Sequence, residues 1–233
     1  MSDKTDVQAK VPFQSFIWWD PFGYHRSALN RSISRKIAAL QLNQSACVLD
    51  YGCGDKPYRE LLPSGCRYLG ADLPGNVHAD LLINSEGKVA AADASCDFVL
   101  SKQVLEHVED PATYLRECHR VLKPGGKLLL TTHGLMFYHP HPLDLWRWTA
   151  EGLKLSVQQA GMRVINVEGV MGLVPSAVWL AMFTVQCHLP WGLRHLFVVA
   201  SHLLILLSDR LTSDAERLKN ACIYALLVER PLE

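Results

Sequence analysis

Val48-Leu49-Asp50-Tyr51-Gly52-Cys53-Gly54 is a short apolar run that meets an acidic residue and then breaks on two glycines one residue apart. Such a run suits a strand buried on both faces, and the glycines allow a turn tight enough for backbone to approach a ligand. In doubly wound sheets, ligands bind where the carboxyl end of a strand meets the next helix, so this turn marks a site. A second strand, Tyr68–Leu73, carries Asp72 at its end, about twenty residues after Asp50. A carboxylate there can accept two hydrogen bonds from a ribose diol. A dinucleotide would need a third glycine to set a helix N-terminus against its pyrophosphate. Position 57 is proline instead. That disfavours a nicotinamide dinucleotide and suits a cofactor without phosphate.

Outward from the turn, apolar runs alternate with helical patterns. Asp97–Ser101, Lys127–Thr132, Val164–Val170 and Ala221–Val228 read as further strands. Asp110-Pro111 supplies a cap and a first-turn proline for a helix stopped by Pro124-Gly125-Gly126, and Thr149 caps another that ends at Gly161. From His25 to Leu40, Leu29, Ile33, Ile37 and Leu40 recur at helical spacing, with Arg31, Arg35 and Lys36 on a face expected to be solvated. This alternation predicts an α/β sheet covered on both faces. The expected division is a tail and amphipathic helix over 1–45, a core over 46–170, an apolar helical insertion over 171–220 and a last core strand within 221–233.

Composition removes several classes. Of 233 residues, 49% are hydrophobic and 20% charged, as in a globular domain. Lys plus Arg and Asp plus Glu both total 23. Zero net charge lacks the footprint that phosphate backbones select, so no nucleic-acid partner is expected. Seven cysteines without a CxxC pair indicate neither a disulfide framework nor a structural zinc site. Free thiols and the polar N-terminus point to a cytoplasmic protein.

Val48–Tyr58, Gly70-Ala71-Asp72, Asp97–Val108 and Arg120-Val121-Leu122-Lys123-Pro124-Gly125-Gly126 resemble, in order and spacing, the motif series of class I S-adenosylmethionine-dependent methyltransferases. The resemblance covers about 46–170. It implies a Rossmann-like doubly wound sheet of seven strands with an antiparallel last strand, and S-adenosyl-L-methionine as cofactor. By position, Asp50, Gly52, Cys53 and Gly54 would shape the methionine end, and Asp72 would bind the ribose with Leu73 beside the adenine. Asp80 and Leu81, just past an expected third strand, match the pair that meets the adenine. Ser101 and Gln103 would line the sulfonium side. Asp55-Lys56-Pro57 departs from the commoner glycine-rich turn.

Methyl transfer to a hydroxyl needs a group to take up its proton, for which histidine is suited. Some ubiquinone-biosynthesis relatives hold a divalent metal with a Glu-His pair and an acidic residue three positions before the glutamate. Here the pair is Glu106-His107 and the earlier position is Gln103, so no metal is expected. The long segment Gly134–Trp148 after the fifth strand is the better place. His139-x-x-Pro142-x-Asp144-x-Trp146-Arg147-x-Thr149 resembles a sub-group of these methyltransferases associated with cell-surface polysaccharide and lipid-linked sugar pathways. His139 is the expected general base, with Asp144 and Arg147 an ion pair that fixes the loop. A zinc site from His139 and His141 lacks a third ligand.

The expected function is therefore O-methylation of a small or lipid-linked acceptor, the alternative being a catalytically silent cofactor-binding scaffold. In the insertion, Pro175–Leu189 and Gly192–Leu207 read as two apolar helices. They are expected either to bury themselves on the sheet, to pair two copies, or to give peripheral membrane contact through 171–210, with Trp179 and Trp191 near the headgroups.

Overall fold

The computed structural model describes residues 16–140 and 142–232, so most of the expected tail, and His141, lie outside the described residues. The apolar runs become β1 (Cys47–Tyr51), β2 (Arg67–Asp72), β3 (Leu81–Leu82), β4 (Cys96–Lys102), β5 (Leu122–His133), β6 (Arg163–Val170) and β7 (Ile223–Glu229). They form one sheet in the order β3-β2-β1-β4-β5-β7-β6. All pairs from β3 to β5 are parallel, while β7 runs antiparallel to both β5 and β6. This is the doubly wound seven-stranded sheet the motifs imply.

Val48, Leu49, Phe98, Val99, Leu100, Leu128, Leu129 and Leu130 are fully buried because both faces of the central strands are covered. One face packs α2 (Pro111–Val121) and α3 (Ala150–Gln159). The other packs α1 (Gly23–Ala39) and the hairpin of α4 (Leu173–Gln186) and α5 (Trp191–Leu211). α2 starts where the Asp110 carboxylate accepts from the Ala112 and Thr113 N–H groups, with Pro111 in its first turn. The Thr149 hydroxyl accepts from Gly152 N–H at the start of α3. Pro124-Gly125-Gly126 does not separate helix from strand as expected. β5 begins directly at Leu122, and the Gly125 N–H donates to Arg230 O beyond β7.

Three expectations about the helices need correction. The basic face of α1 is only partly left to solvent: Arg31 and Arg35 are exposed, but Lys36 is buried and donates to Asn166 Oδ1, and Arg35 pairs with Glu168 at 2.5 Å, tying α1 to β6. α5 does not stop at Leu207 but runs to Leu211. Its charged last turn is held by partners, because Asp209 accepts from the Tyr24 hydroxyl and pairs with Arg217 beside α6 (Asp214–Lys219). Nor is Trp179 placed for headgroups. It is fully buried, with Nε1–H donating to Pro21 O at 2.8 Å.

Candidate active site

The carboxyl ends of β1, β2, β4 and β5 border a cleft of about 1370 Å³. Ligand pockets run to about 1,000 Å³, so this one has room for a nucleoside cofactor and a second molecule together.

At the β1 end, Gly52 (φ +82°) and Gly54 (φ +53°) are left-handed, and the Gly52 N–H donates to Ala71 O at 2.8 Å. A Cβ at Gly52 would collide with Val104, whereas the space beside Gly54 is open to 4 Å. Asp72 ends β2 in the cleft wall with Leu73 beside it. Its Oδ2 accepts from Gly54 N–H (2.9 Å) and the Asn76 amide (2.6 Å), and its Oδ1 from Leu73 N–H (2.8 Å). A carboxylate offers about four acceptor directions. Oδ1 therefore keeps one for a hydroxyl, and a second hydroxyl would take the place of Asn76.

Asp50 and Cys53 lie beneath this turn rather than in the cleft wall. Asp50 accepts from the Tyr68 hydroxyl, and burial pushes its carboxyl up to about 6. Burial also pushes the Cys53 thiol up to about 11.

Three expected cofactor residues sit elsewhere. Asp80 precedes β3 instead of following it, and its Oδ2 accepts from Gly70 N–H and Lys56 Nζ, each at 2.7 Å. Leu81 is in β3 and packs against the core. The residues just past β3 that reach the cleft are Ile83, Asn84, Ser85, Glu86 and Gly87. A two-residue strand carries no periodicity, so its end is not readable from sequence. Ser101 is fully buried behind the cleft wall and shares a 2.8 Å hydrogen bond with the hydroxyl of Tyr114, an α2 residue that does line the cleft.

Gln103 is in the cleft wall at φ +54°, its N–H donating to Thr131 O, and its buried Nε2 has no partner among the described residues. Next to it is Lys102, not anticipated from sequence, whose ammonium pKa burial pushes down. A cation closing an otherwise apolar strand was the available signal.

The far end of the cleft is built on β5 and the segment after it. His133 and His139 lie with ring centroids 6.1 Å apart, and His107 is 6.0 Å from His139. All three line the cleft, as do Phe22, His25 and Met136. Glu106 is fully buried below them, accepting from the Thr132 hydroxyl at 2.8 Å with Oε1 3.1 Å from His133 Nε2. Burial pushes the Glu106 carboxyl up to about 7 and the His133 imidazole down to about 3. His133 is therefore neutral at pH 7. The His25 ring, stacked on Trp179, is also pushed by burial down to about 3.

The loop that carries His139 is clamped as the sequence suggests. Asp144 accepts the His139 backbone N–H at 2.7 Å and both terminal nitrogens of Arg147. Arg147 also donates to Met136 O and Phe137 O. The guanidinium holds the Asp144 carboxyl well below the usual carboxylate range. Among the described residues no three carboxylate, thiol or imidazole groups converge as a metal ion requires. Gln103 supplies no carboxylate, His107 Nδ1 is engaged with Leu143 O, and Glu106 faces inward, so a divalent metal does not fit here.

The methyltransferase-domain family model matches residues 23–161, more than half of the chain. The chain belongs to that family. Among curated proteins, this methyltransferase is 30% identical over 152 residues to the ubiquinone biosynthesis O-methyltransferase of Cereibacter sphaeroides, covering 53% of the chain and 62% of the relative. To that of Xanthomonas axonopodis pv. citri it is 35% identical over 136 residues, 49% of the chain and 55% of the relative. To that of Dinoroseobacter shibae it is 28% identical over 220 residues, 75% of the chain and 89% of the relative. The methyltransferase thus spans less than two thirds of the first two.

Among solved structures, the phosphoethanolamine N-methyltransferase 2 of Haemonchus contortus with S-adenosyl-L-methionine aligns at TM-score 0.55 and 17% identity, over 86% of this chain and 52% of that one. The [4+2]-cyclase SpnF aligns at 0.54 and 18%, over 88% and 82%. At such identities the likeness concerns the fold alone, and the cyclase shows that the fold hosts more than one chemistry.

S-adenosylmethionine is the cofactor of this methyltransferase, and the chain's own geometry fits it. A left-handed glycine turn with open space beside it meets a carboxylate with acceptor capacity for a ribose.

Proposed function

We propose that this methyltransferase methylates an oxygen of a small or lipid-linked acceptor, such as a sugar intermediate, in the cytoplasm. Its cofactor half would be Asp72, Leu73, Gly52, Gly54 and Gln103, with Asp50 and Cys53 supporting the turn from below. The observation that carries the reading is the group of histidines His107, His133 and His139 at the cleft end next to Gln103. When bound, S-adenosylmethionine supplies a methyl group on a sulfonium that needs no further activation. The chain's own task is to hold the acceptor hydroxyl in line and to receive its proton.

His139 is the base in this reading, since it stands on a segment whose backbone Asp144 and Arg147 hold rigid. His133 lies next to it as a neutral hydrogen-bonding wall above Glu106. A lipid-linked acceptor also requires membrane contact, which we assign to 171–210. The shared name of the relatives, ubiquinone biosynthesis O-methyltransferase, favours an oxygen acceptor, and the sub-group motif around His139 favours a sugar intermediate.

The test is calorimetric titration with S-adenosylhomocysteine, followed by methyl-donor turnover on a panel of phenols, nucleotide sugars and polyprenyl-linked sugars. Methylation of a hydroxyl on any of them supports the reading. Tight cofactor binding with no turnover on the whole panel would replace it with a silent scaffold.

A further inference from the structure

The α4–α5 hairpin has two faces, and only one is used by the fold. On α5, Val198, Ser201, His202 and Ile205 are buried, while Leu193, Leu196, Leu203, Leu204, Leu207 and Leu211 on the opposite side are exposed. With the exposed Ala200 between Leu196 and Leu203, this set forms a stripe at helical spacing along a helix of 21 residues, a length of about 31 Å. α4 continues it with Leu173, Val174 and Val185. Unpartnered apolar surface of that extent marks an interaction site.

We propose that this outer face is a docking surface for an anionic bilayer, lying in the plane of the membrane interface; the proposal rests on the lipid-linked reading of the acceptor. Four observations select the occupant. First, α5 passes the length and hydropathy test for a membrane span, yet its inner face is tied to the fold, with His202 Nδ1 2.9 Å from Trp18 O. It therefore lies on a membrane rather than through one. Second, between Glu168 and Asp209 the sequence has no carboxylate and a single arginine, Arg194, and Asp209 at the end of α5 is paired with Arg217. No unpaired carboxylate on the hairpin opposes an anionic surface. Third, the turn joining the helices presents Trp191, 80% exposed, beside His188, Arg194 and His195, the aromatic and basic rim that headgroups favour.

The fourth observation joins the surface to the site. On its inner side α4 places Phe183 5.1 Å from Phe22 and 4.3 Å from Phe137, ring centre to ring centre. Phe22 lines the cleft, and Phe137 is two residues from His139. The hairpin that carries the docked face thus forms, through this aromatic layer, the wall behind the acceptor end of the cleft.

The experiment is sedimentation of the full chain with vesicles of phosphatidylglycerol and phosphatidylethanolamine, or of phosphatidylcholine alone. Light scattering gives the mass of the free protein. Wild type should sediment with the anionic vesicles and less with the neutral ones. The Leu196→Ser/Leu204→Ser/Leu207→Ser variant should weaken binding at least about tenfold, since burying a single leucine is worth a tenfold change or more. Wild type left in the supernatant with both vesicles would overturn the proposal. So would a wild-type dimer that the variant converts to monomer without any vesicle binding. S-adenosylhomocysteine affinity, measured on the same variant, should equal wild type. Its persistence separates failure of docking from failure of the methyltransferase reading.

Discussion

Asp72 carries the cofactor half through acceptor capacity, held in place by three N–H donors. Hydrogen bonds to a charged group are worth about 1.5–3 kcal/mol each. Asp72→Ala should therefore weaken S-adenosylhomocysteine binding by about 100-fold in calorimetry while the circular dichroism spectrum is unchanged. Affinity equal to wild type would remove the ribose role. His139 belongs to the other end of the cleft and should separate cleanly from it. His139→Ala should lower methyl transfer about 100-fold, as loss of a general base does, with cofactor affinity unmoved. Turnover at half the wild-type rate would leave alignment alone as the catalytic device.

Among the elements, the His139 loop and the β6–α6 contact each hang on one residue. Arg147 bonds Asp144 and three loop carbonyls at once through a planar fork, which lysine cannot copy. Arg147→Lys should lower turnover by loosening the loop, with S-adenosylhomocysteine affinity as the unaffected control. Gly169 in β6 pairs with Tyr224, and a Cβ there would fall on the backbone carbonyl of Arg217 in α6. Backbone on both sides leaves nothing flexible to yield, so Gly169→Ala should cost about 1–3 kcal/mol in urea unfolding. A neutral result would mean that α6 is free to shift off the sheet.

For the whole molecule, buried titratable groups set how stability responds to pH. Glu106 and Asp50, raised by burial to about 7 and about 6, bind more protons folded than unfolded in the range below those values. His25 and His133, lowered by burial to about 3, bind fewer protons folded than unfolded below about 6.5. The acids alone would make stability fall as pH rises from about 5 to 6.5. The histidines alone would make it rise over the same window, and the two nearly cancel. Glu106→Gln removes one acid and leaves the histidines in excess. Its stability relative to wild type should climb with pH between 5 and 6.5, by up to about 1.4 kcal/mol per pH unit. Thermal melts at three pH values across the window would check the slope, and parallel curves for the two proteins would refute it.

Several features were determined by local sequence alone, because each follows from chemistry within a few residues. The β1 run stops at glycines that only a left-handed turn requires, Asp110-Pro111 and Thr149 cap their helices, and Asp144 and Arg147 pair within one loop. Proline at position 57 disfavours a dinucleotide for the same reason. Other features depend on which distant segment covers a residue, and that only the tertiary structure decides. Ser101 stays behind the cleft wall because Tyr114 of α2, which lines the cleft, covers it and takes its hydroxyl. Asp80 is claimed by Gly70 and Lys56 before it could meet an adenine, leaving Asn84 and Ser85 at the end of a strand too short to show in sequence. Trp179 is drawn into the core by Pro21 and His25, while the leucines of α5 face outward because the sheet needs one side of that helix only. Apolar periodicity states that a helix has a face to bury; what buries it depends on the rest of the chain and its surroundings.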